Sequence, residues 1–410
     1  MGGAETQARH LAEALLRNGV AVRVWSSTAR DSFHPAETRY YPAGESVVHG
    51  VPVWRFVPSP ADEQHIPRFF RHHPELLPPL ERFAAHELRL LGTLLSSDEL
   101  YAAIHADRSD SQFLFLPYAF PTTFWGALLA PQRSVVQTCL HDEPYARYST
   151  YAFLFEQVRG LLCNSAAEAA LVQRIVGLGP DRVHLVGEGI DLSSQGRAAV
   201  FRAWLHEQYP LLADDPLLLY VGRRDGSKNI PLLLAYMREY WALRGSRLRL
   251  LLIGPGTLDI PFSLDARQRA DGPVLDLGFL ADEQTKHDAY AAADMFVLLS
   301  RYESFSRVLM EAWLQERPAI VHRDCAVTAD HCVRSGGGLL VDSFGAFAAS
   351  LDLLLARSDI RQRLGERGRA YVLETCDWQV VAARTAALVL QPGVEKGLVD
   401  PFDRAEYHVL

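Results

Sequence analysis

Apolar runs recur along the whole chain, with amphipathic stretches between them. In the first half they are VAVRVW (20–25), FLFLPY (113–118), SVVQTCL (134–140), GLLCN (160–164) and RVHLVG (182–187). In the second they are PLLLYVG (216–222), RLRLLLIG (247–254), PVLDLGF (273–279), DMFVLLS (294–300), PAIVH (318–322) and GGLLVD (337–342). Near-continuous runs bounded by turn residues predict strands buried on both faces. Stretches such as ETQARHLAEALLRNG, AEAALVQRIVG, NIPLLLAYMREYWALRG and HDAYAAA repeat their apolar positions at helical spacing. The alternation predicts an α/β chain of two doubly wound, Rossmann-like domains with parallel sheets and right-handed crossovers. The join is expected near 190–215, where DLSSQGRAAV is small and polar. The first domain is therefore assigned to 1–194 and the second to 195–376, with a helix and tail over 377–410 packing back on the first. Segment 57–90, with RFFRHHPELLPP in its middle, reads as a long loop with short helices because prolines break elements.

Composition narrows the class. A chain of 410 residues exceeds the ~250–300 that one core supports. A hydrophobic content of 49% with 22% charged residues is that of a soluble globular protein. A net charge of −8 argues against nucleic acid as the main partner. No stretch reaches the ~18 apolar residues of a membrane span, and the opening MGGAETQARH lacks the apolar core of a signal peptide. Five scattered cysteines fit a reducing cytoplasm better than a disulfide framework. Segment 66–75, IPRFFRHHPE, mixes aromatic and basic groups as peripheral contact with an inner membrane face would require, although its prolines and short length favour a solvated loop. His322, Cys325, His331 and Cys332 follow no common zinc spacing, so no metal site is expected.

In open α/β sheets ligands bind beyond the carboxyl ends of the strands. The unusual polar residues stand there: His141, Arg223 after Gly222, the Gly254-Pro255-Gly256 turn, and Glu303. Arg223 and Lys228 straddle a turn, so one can hold phosphate oxygens bidentately and the other supply a point charge. The plainer alternative is a solvated basic turn ahead of a helix capped by Asn229. In SRYESFSRVLMEAW, Glu303 and Glu311 stand eight residues apart. A helix beginning near Phe305 would aim its N-terminus, with the N–H groups of Ser306 and Arg307, at whatever Glu303 touches. Eight residues of helical rise separate the acids by up to ~12 Å, about the length of a diphosphate with its flanking hydroxyl carbons. Both acids can accept hydroxyl hydrogens. The alternative makes Glu303 a helix-start acid and Glu311 a surface residue, against which Val308, Leu309, Met310, Ala312 and Trp313 crowd Glu311 with apolar neighbours. Two cations and two carboxylates suit a nucleotide-activated sugar.

Five segments, spread over nearly the full chain, resemble the elements of glycosyltransferase family 4, retaining enzymes of the GT-B fold. GGAETQARHLAEAL is similar to the family's glycine-rich start, HDEPY to its histidine loop and VHLVGEGID to the end of its first domain. VGRRDGSKNIPLLL resembles its Arg/Lys turn and ESFSRVLME its Glu-x7-Glu element. The resemblance implies two domains facing across a cleft, with Arg223, Lys228, Ser306, Arg307 and Gly3 at the donor diphosphate. It implies Glu303 on hydroxyls of the transferred sugar, His141 near the anomeric carbon, Glu311 on the ribose, and Gly222, Gly254, Gly256 and Leu280 around the base. The reaction implied moves a hexose, mannose- or glucose-like, from a nucleoside-diphosphate sugar to a glycan, lipid-linked or small-molecule acceptor. The configuration would be retained and no metal or further cofactor needed.

Three departures stand out. Ser306 takes the place of a usual glycine, Glu316-Arg317-Pro318 replaces Gly-x-Pro, and no apolar strand precedes Gly2-Gly3. The last predicts either a natural start upstream of Met1 or a distorted first domain with two unpaired strand edges. Two rival readings stay open: a non-catalytic nucleotide-binding subunit of the same fold, and a nucleotide-sugar hydrolase or epimerase.

Overall fold

A computed structural model describes residues 3–30, 39–60, 65–210, 214–245, 247–256 and 273–391. Gly2 and the polar tail after 391 lie outside the described residues. The chain divides into two compact units, Met1–Gly189 with Trp378–Leu410, and Ile190–Asp377.

The first unit opens with helix α1 (Gly3–Arg17), strand β1 (Val24–Ser27) and the pair β2 (Gly44–Val48) and β3 (Val51–Phe56). Helices α2 (Arg68–His72), α3 (Ala85–Thr93) and α4 (Asp98–Asp107) follow. Then strands β4 (Phe113–Phe115), β5 (Ser134–Gln137), β6 (Gly160–Cys163) and β7 (Val183–Leu185) alternate with α5 (Pro121–Leu128), α6 (Ser149–Gln157) and α7 (Ala166–Val176). The strands form two sheets, ordered β1-β3-β2 and β4-β5-β6-β7. Among the described residues β1 and β4 each pair on one side only. Trp25 of β1 meets Phe113 of β4, ring centroids 6.2 Å apart, and packs edge-on against Phe56. No residue of β1 is fully buried.

The hairpin β2–β3 is absent from the expected strands. Its residues alternate in burial instead of forming an apolar run, and the turn is made by His49 and Gly50, both at positive φ (48° and 83°). The proline-rich segment holds α2, two single 3₁₀ turns and α3. Phe70 within it is wholly buried against Trp125 and Tyr101, so this ring belongs to the core.

The second unit runs through α8 (Ala198–Gln208), β8 (Leu217–Val221), α9 (Ile230–Arg244), β9 (Arg249–Ile253), β10 (Val274–Gly278), α10 (Glu283–Ala292) and β11 (Met295–Leu298). It continues with α11 (Arg307–Leu314), β12 (Ala319–His322), α12 (Ala326–Ser335), β13 (Gly338–Val341), α13 (Phe344–Ala356) and α14 (Ser358–Thr375). Its six strands form one parallel sheet in the order β10-β9-β8-β11-β12-β13. Every residue of β8, β9 and β11 is buried, which is why these strands read as near-continuous apolar runs, the one charge, Arg249 of β9, being paired with Asp215 at 2.7 Å. The strand order reverses between β8 and β11, and this is where open α/β sheets bind ligands.

At Asp377 the chain forms a parallel bridge with Ile190, then returns to the first unit as α15 (Trp378–Val389). Trp378 stacks on His10 of α1 at 5.7 Å, and Leu11, Ala14 and Leu15 pack with Val381 and Ala382. Arg159 closes the end of α15 by donating to the carbonyls of Leu388, Val389 and Gln391 at 2.7–2.8 Å. No helix among the described residues is long and apolar enough to cross a membrane.

Candidate active site

The carboxyl ends of β8 and β9 touch. Gly254 (φ 138°) lies so near that a Cβ there would stand 2.0 Å from the Gly222 carbonyl oxygen, so only glycine lets the two strand ends meet. Beyond them Arg224 turns inward, and its buried guanidinium grips both oxygens of Asp276 on β10. Asp276 also accepts the Gly278 N–H at 2.8 Å, fixing the bend that leads to half-buried Leu280. Of the two adjacent arginines, Arg224 therefore holds the loop together, while Arg223 keeps a side chain 64% exposed, 3.4 Å from Asp225.

The same loop aims Lys228. Asp225 caps a 3₁₀ turn over Gly226–Lys228 by accepting the Ser227 N–H, and Asn229 in the left-handed region (φ 54°) starts α9. Burial would raise the Asp225 pKa, but the Ser227 hydroxyl and the charges of Arg223 and Lys228 outweigh it and hold the carboxyl below its usual range. Lys228 Nζ donates to Glu303 Oε1 at 2.7 Å, with only 17% and 9% of the two side chains exposed. The Arg301 N–H donates to the Ser227 carbonyl at 2.8 Å, tying the loop after β11 to the loop after β8. A pair buried this far is strongly destabilised when one partner is removed, because the remaining charge is uncompensated.

Helix α11 begins at Arg307, two residues later than the sequence pattern suggests. Ser306 ahead of it sits at φ 76°, a region costing an L-residue roughly 1–2 kcal/mol, and its buried hydroxyl has no hydrogen-bond partner among the described residues. This gives a structural reason for glycine at that position.

Glu311 is buried, and its carboxylate faces α10. The Tyr290 hydroxyl donates to Oε2 at 3.1 Å, and Lys286 Nζ lies 3.3 Å from Oε2 and 3.5 Å from Oε1. Lys286 also pairs with Glu283 at 2.6 Å. Burial would lower the Lys286 pKa, but Glu311 and Glu283 reverse the shift, so the ammonium stays charged. Burial and then Glu311 push the Tyr290 phenol well above its usual range, keeping it a donor. Sequence reasoning missed both residues; their one signal is the i, i+4 spacing in KHDAY, which puts them on one helix face.

In the first unit, Gly3 begins α1 with open space where a Cβ would point. His141, one-third exposed, follows β5 with Nδ1 3.5 Å from Glu143. The backbone leading to it is anchored from below by Glu168, which is fully buried. Glu168 accepts from the Thr138 hydroxyl (2.6 Å), the Leu140 N–H (2.5 Å) and the Asn164 N–H (2.6 Å). Gln7 of α1 and Gln137 both donate to the Asn164 side chain at 2.6 and 2.7 Å. Burial raises the Glu168 pKa to about 7 despite these bonds.

The second unit thus brings Lys228 and Glu303 into contact, puts Arg223 on the same loop, and gathers Gly222, Gly254, Gly256 and Leu280 at neighbouring strand ends. Glu311 shares α11 with Arg307, but its carboxylate is engaged by α10. His141 and Gly3 belong to the other unit.

Comparison with known proteins agrees with this architecture. Residues 1–194 match the family model described as Glycosyltransferase Family 4, and residues 202–371 the one described as Glycosyl transferases group 1. EpsF of Bacillus subtilis is 33% identical over 147 residues, 34% of this chain and 36% of that protein. D-inositol 3-phosphate glycosyltransferase 2 of Catenulispora acidiphila is 30% identical over 255 residues, 60% of this chain and 58% of that one. The chain thus spans between about a third and three-fifths of the length of these curated relatives. Among solved structures, sucrose-phosphate synthase from Thermosynechococcus elongatus superposes with a TM-score of 0.67 at 21% identity, covering 94% of this chain and 92% of that one. Anabaena HepE in complex with UDP and glucose gives 0.64 at 16% identity, over 94% and 95%. At such identities the likeness is one of fold, and the fold is GT-B.

Proposed function

This chain belongs to glycosyltransferase family 4, and from that premise we propose that it transfers a sugar from a nucleoside-diphosphate donor to an acceptor hydroxyl. The observation that carries the reading is the Lys228–Glu303 contact at the reversal point of the six-stranded sheet. A cation and an acceptor of hydroxyl hydrogens, side by side, match the junction between a diphosphate and a sugar ring. In the bound state Lys228 turns to the diphosphate, joined by Arg223 and by the start of α11 at Ser306 and Arg307. Glu303 then takes sugar hydroxyls and Glu311 the ribose. Gly222, Gly254, Gly256 and Leu280 border the base, while His141 and Gly3 are assigned to the anomeric carbon and the phosphate on the family resemblance. HepE, whose complexes hold UDP, glucose and UDP-glucose, supports a uridine donor with a glucose-like hexose as the first to try.

The reaction fits a same-face displacement. The acceptor oxygen bonds to the anomeric carbon as the bond to the diphosphate oxygen breaks, and that oxygen takes the acceptor's proton. Catalysis rests on stabilising charge as it develops on the leaving diphosphate, which Arg223 and Lys228 supply without a metal. A screen of nucleotide sugars for transfer, hydrolysis and thermal stabilisation tests the proposal, since a ligand bound to the native state raises apparent stability. Glycoside formation with retained configuration, undiminished by a chelator, is expected. Donor binding without consumption across a range of acceptors replaces it with a non-catalytic subunit, and release of free sugar or an isomer alone replaces it with a hydrolase or epimerase. Acceptor class, glycan, lipid-linked or small molecule, is read from the same screen. Cell fractionation tests the cytoplasmic location we propose, and vesicle sedimentation tests peripheral contact with the membrane face.

A further inference from the structure

We infer that Lys286, together with Glu311, reads the ribose of the donor and makes the site reject 2′-deoxynucleotides. The inference rests on the proposed function, in which Glu311 accepts a ribose hydroxyl. It adds to it a cation that no family pattern on this chain suggested.

The geometry leaves specific room for a ligand. Glu311 Oε2 is occupied by the Tyr290 hydroxyl at 3.1 Å and by Lys286 at 3.3 Å. Oε1 accepts from Lys286 alone among the described residues, at the longer distance of 3.5 Å. A hydroxyl arriving at Glu311 is therefore received by Oε1, on the side where the ammonium also stands. Lys286 has three N–H donors. Among the described residues they face three carboxylate oxygens, Glu283 Oε2 at 2.6 Å and Glu311 Oε2 and Oε1 at 3.3 and 3.5 Å, so only one of the three contacts is short. A vicinal diol improves on both long contacts at once: one hydroxyl donates to Oε1, and the neighbouring oxygen accepts an N–H that otherwise reaches 3.3–3.5 Å to Glu311.

The surroundings favour this over a plain structural pair. Lys286 has only 17% of its side chain exposed, and its charge is held by two carboxylates, so an N–H spent on a long contact there gains from a closer acceptor. Tyr290 and Lys286 lie one turn apart on α10, a rigid element, so the carboxylate is held from two points before any ligand arrives. A site that hydrogen-bonds a hydroxyl rejects the analogue lacking it, because its own polar groups are then left unpaired.

The test is titration calorimetry with the four common ribonucleoside diphosphates and their 2′-deoxy counterparts. For the tightest binder the unaltered protein should prefer the ribose form about thirtyfold, the range of a hydrogen bond to a charged group. Lys286→Met should bring the preference below about fivefold by weakening the ribonucleotide alone, and Lys286→Arg should keep most of it. Lys286→Gln repeats the measurement if the methionine variant fails to fold. A folded Lys286→Met or Lys286→Gln protein with the full preference overturns the inference. Glu311→Gln separates the two layers. If it abolishes the preference and Lys286→Met does not, only the role of Lys286 falls; if it changes nothing, Glu311 is not the ribose acceptor. If none of the eight nucleotides binds the unaltered protein, the proposed function itself falls.

Discussion

The two units share one architectural idea and execute it differently. In Ile190–Asp377 six parallel strands make a single sheet, with β8, β9 and β11 buried at every position. In the other unit the strands are split between two sheets, and β1 has no fully buried residue. Strand–helix alternation is thus enough to specify the elements, but not whether their strands join into one sheet. Apart from Gly3 and His141, the proposed donor-binding residues belong to the unit with the continuous sheet. The loop of His141 is instead held by a buried polar network centred on one carboxylate.

The sharpest way to break this contrast is stability. Trp313 in the second unit is wholly buried, donates to the Gly337 carbonyl at 2.9 Å and packs against Gly368. Trp313→Ala should cost ~3–5 kcal/mol, whereas Trp25→Ala, at the split, should cost roughly 1–2 kcal/mol. Equal costs in unit-resolved hydrogen exchange would show that the gap in the first sheet carries no penalty.

Next comes pH. Glu168 titrates near 4.5 when exposed and near 7 when folded, so the native state holds the proton more tightly. Its stabilising contribution is whole below 4.5, declines as pH rises, and is lost above 7, a change of at most roughly 3 kcal/mol. Denaturant unfolding of the first unit between pH 4.5 and 8 should show this decline, and Glu168→Gln should flatten it.

A comparable effect, on chemistry instead of folding, is expected at the donor end. Lys228→Ala or Glu303→Ala should lower turnover about a hundredfold, ~2.7 kcal/mol, when assayed with the donor found in the screen. Rates unchanged in both would detach this pair from the reaction. The smallest effect concerns Ser306. Ser306→Gly removes the left-handed strain and should raise stability in the second unit by ~1 kcal/mol, measured by thermal melting. A lower melting temperature would mean that the buried hydroxyl is needed where it is.

Much of this was legible in the residues. The strands of the second unit announce themselves because burial on both faces demands continuous apolar runs, and Lys228 and Glu303 stand out as charges placed just past such runs. The hairpin β2–β3 was not legible, since its alternating burial dilutes the apolar signal. Adjacent arginines cannot be told apart by spacing: Arg224 is committed to Asp276, 52 residues later, while Arg223 is not. Ser165-Ala166-Ala167-Glu168 reads as an ordinary helix start, and Ser165 does accept the Glu168 N–H at 3.1 Å. That the carboxylate reaches across to Thr138 and Leu140 depends on how β5 lies beside β6, which local sequence does not encode. Lys286 and Tyr290 were hidden for the same reason, because their meaning depends on α10 meeting α11.

The return of α15 to the first unit affects how the molecule is made. Domains generally complete in the order in which their residues leave the ribosome. Here Ile190–Asp377 has every segment it needs once Asp377 is out, whereas the older unit waits for Trp378–Val389 to cover Leu11 and Leu15 and to meet Arg159. The portion translated first is therefore finished last. Released chains ending at residue 377 and at residue 391 should differ in protease resistance over residues 3–189 and agree over 190–377.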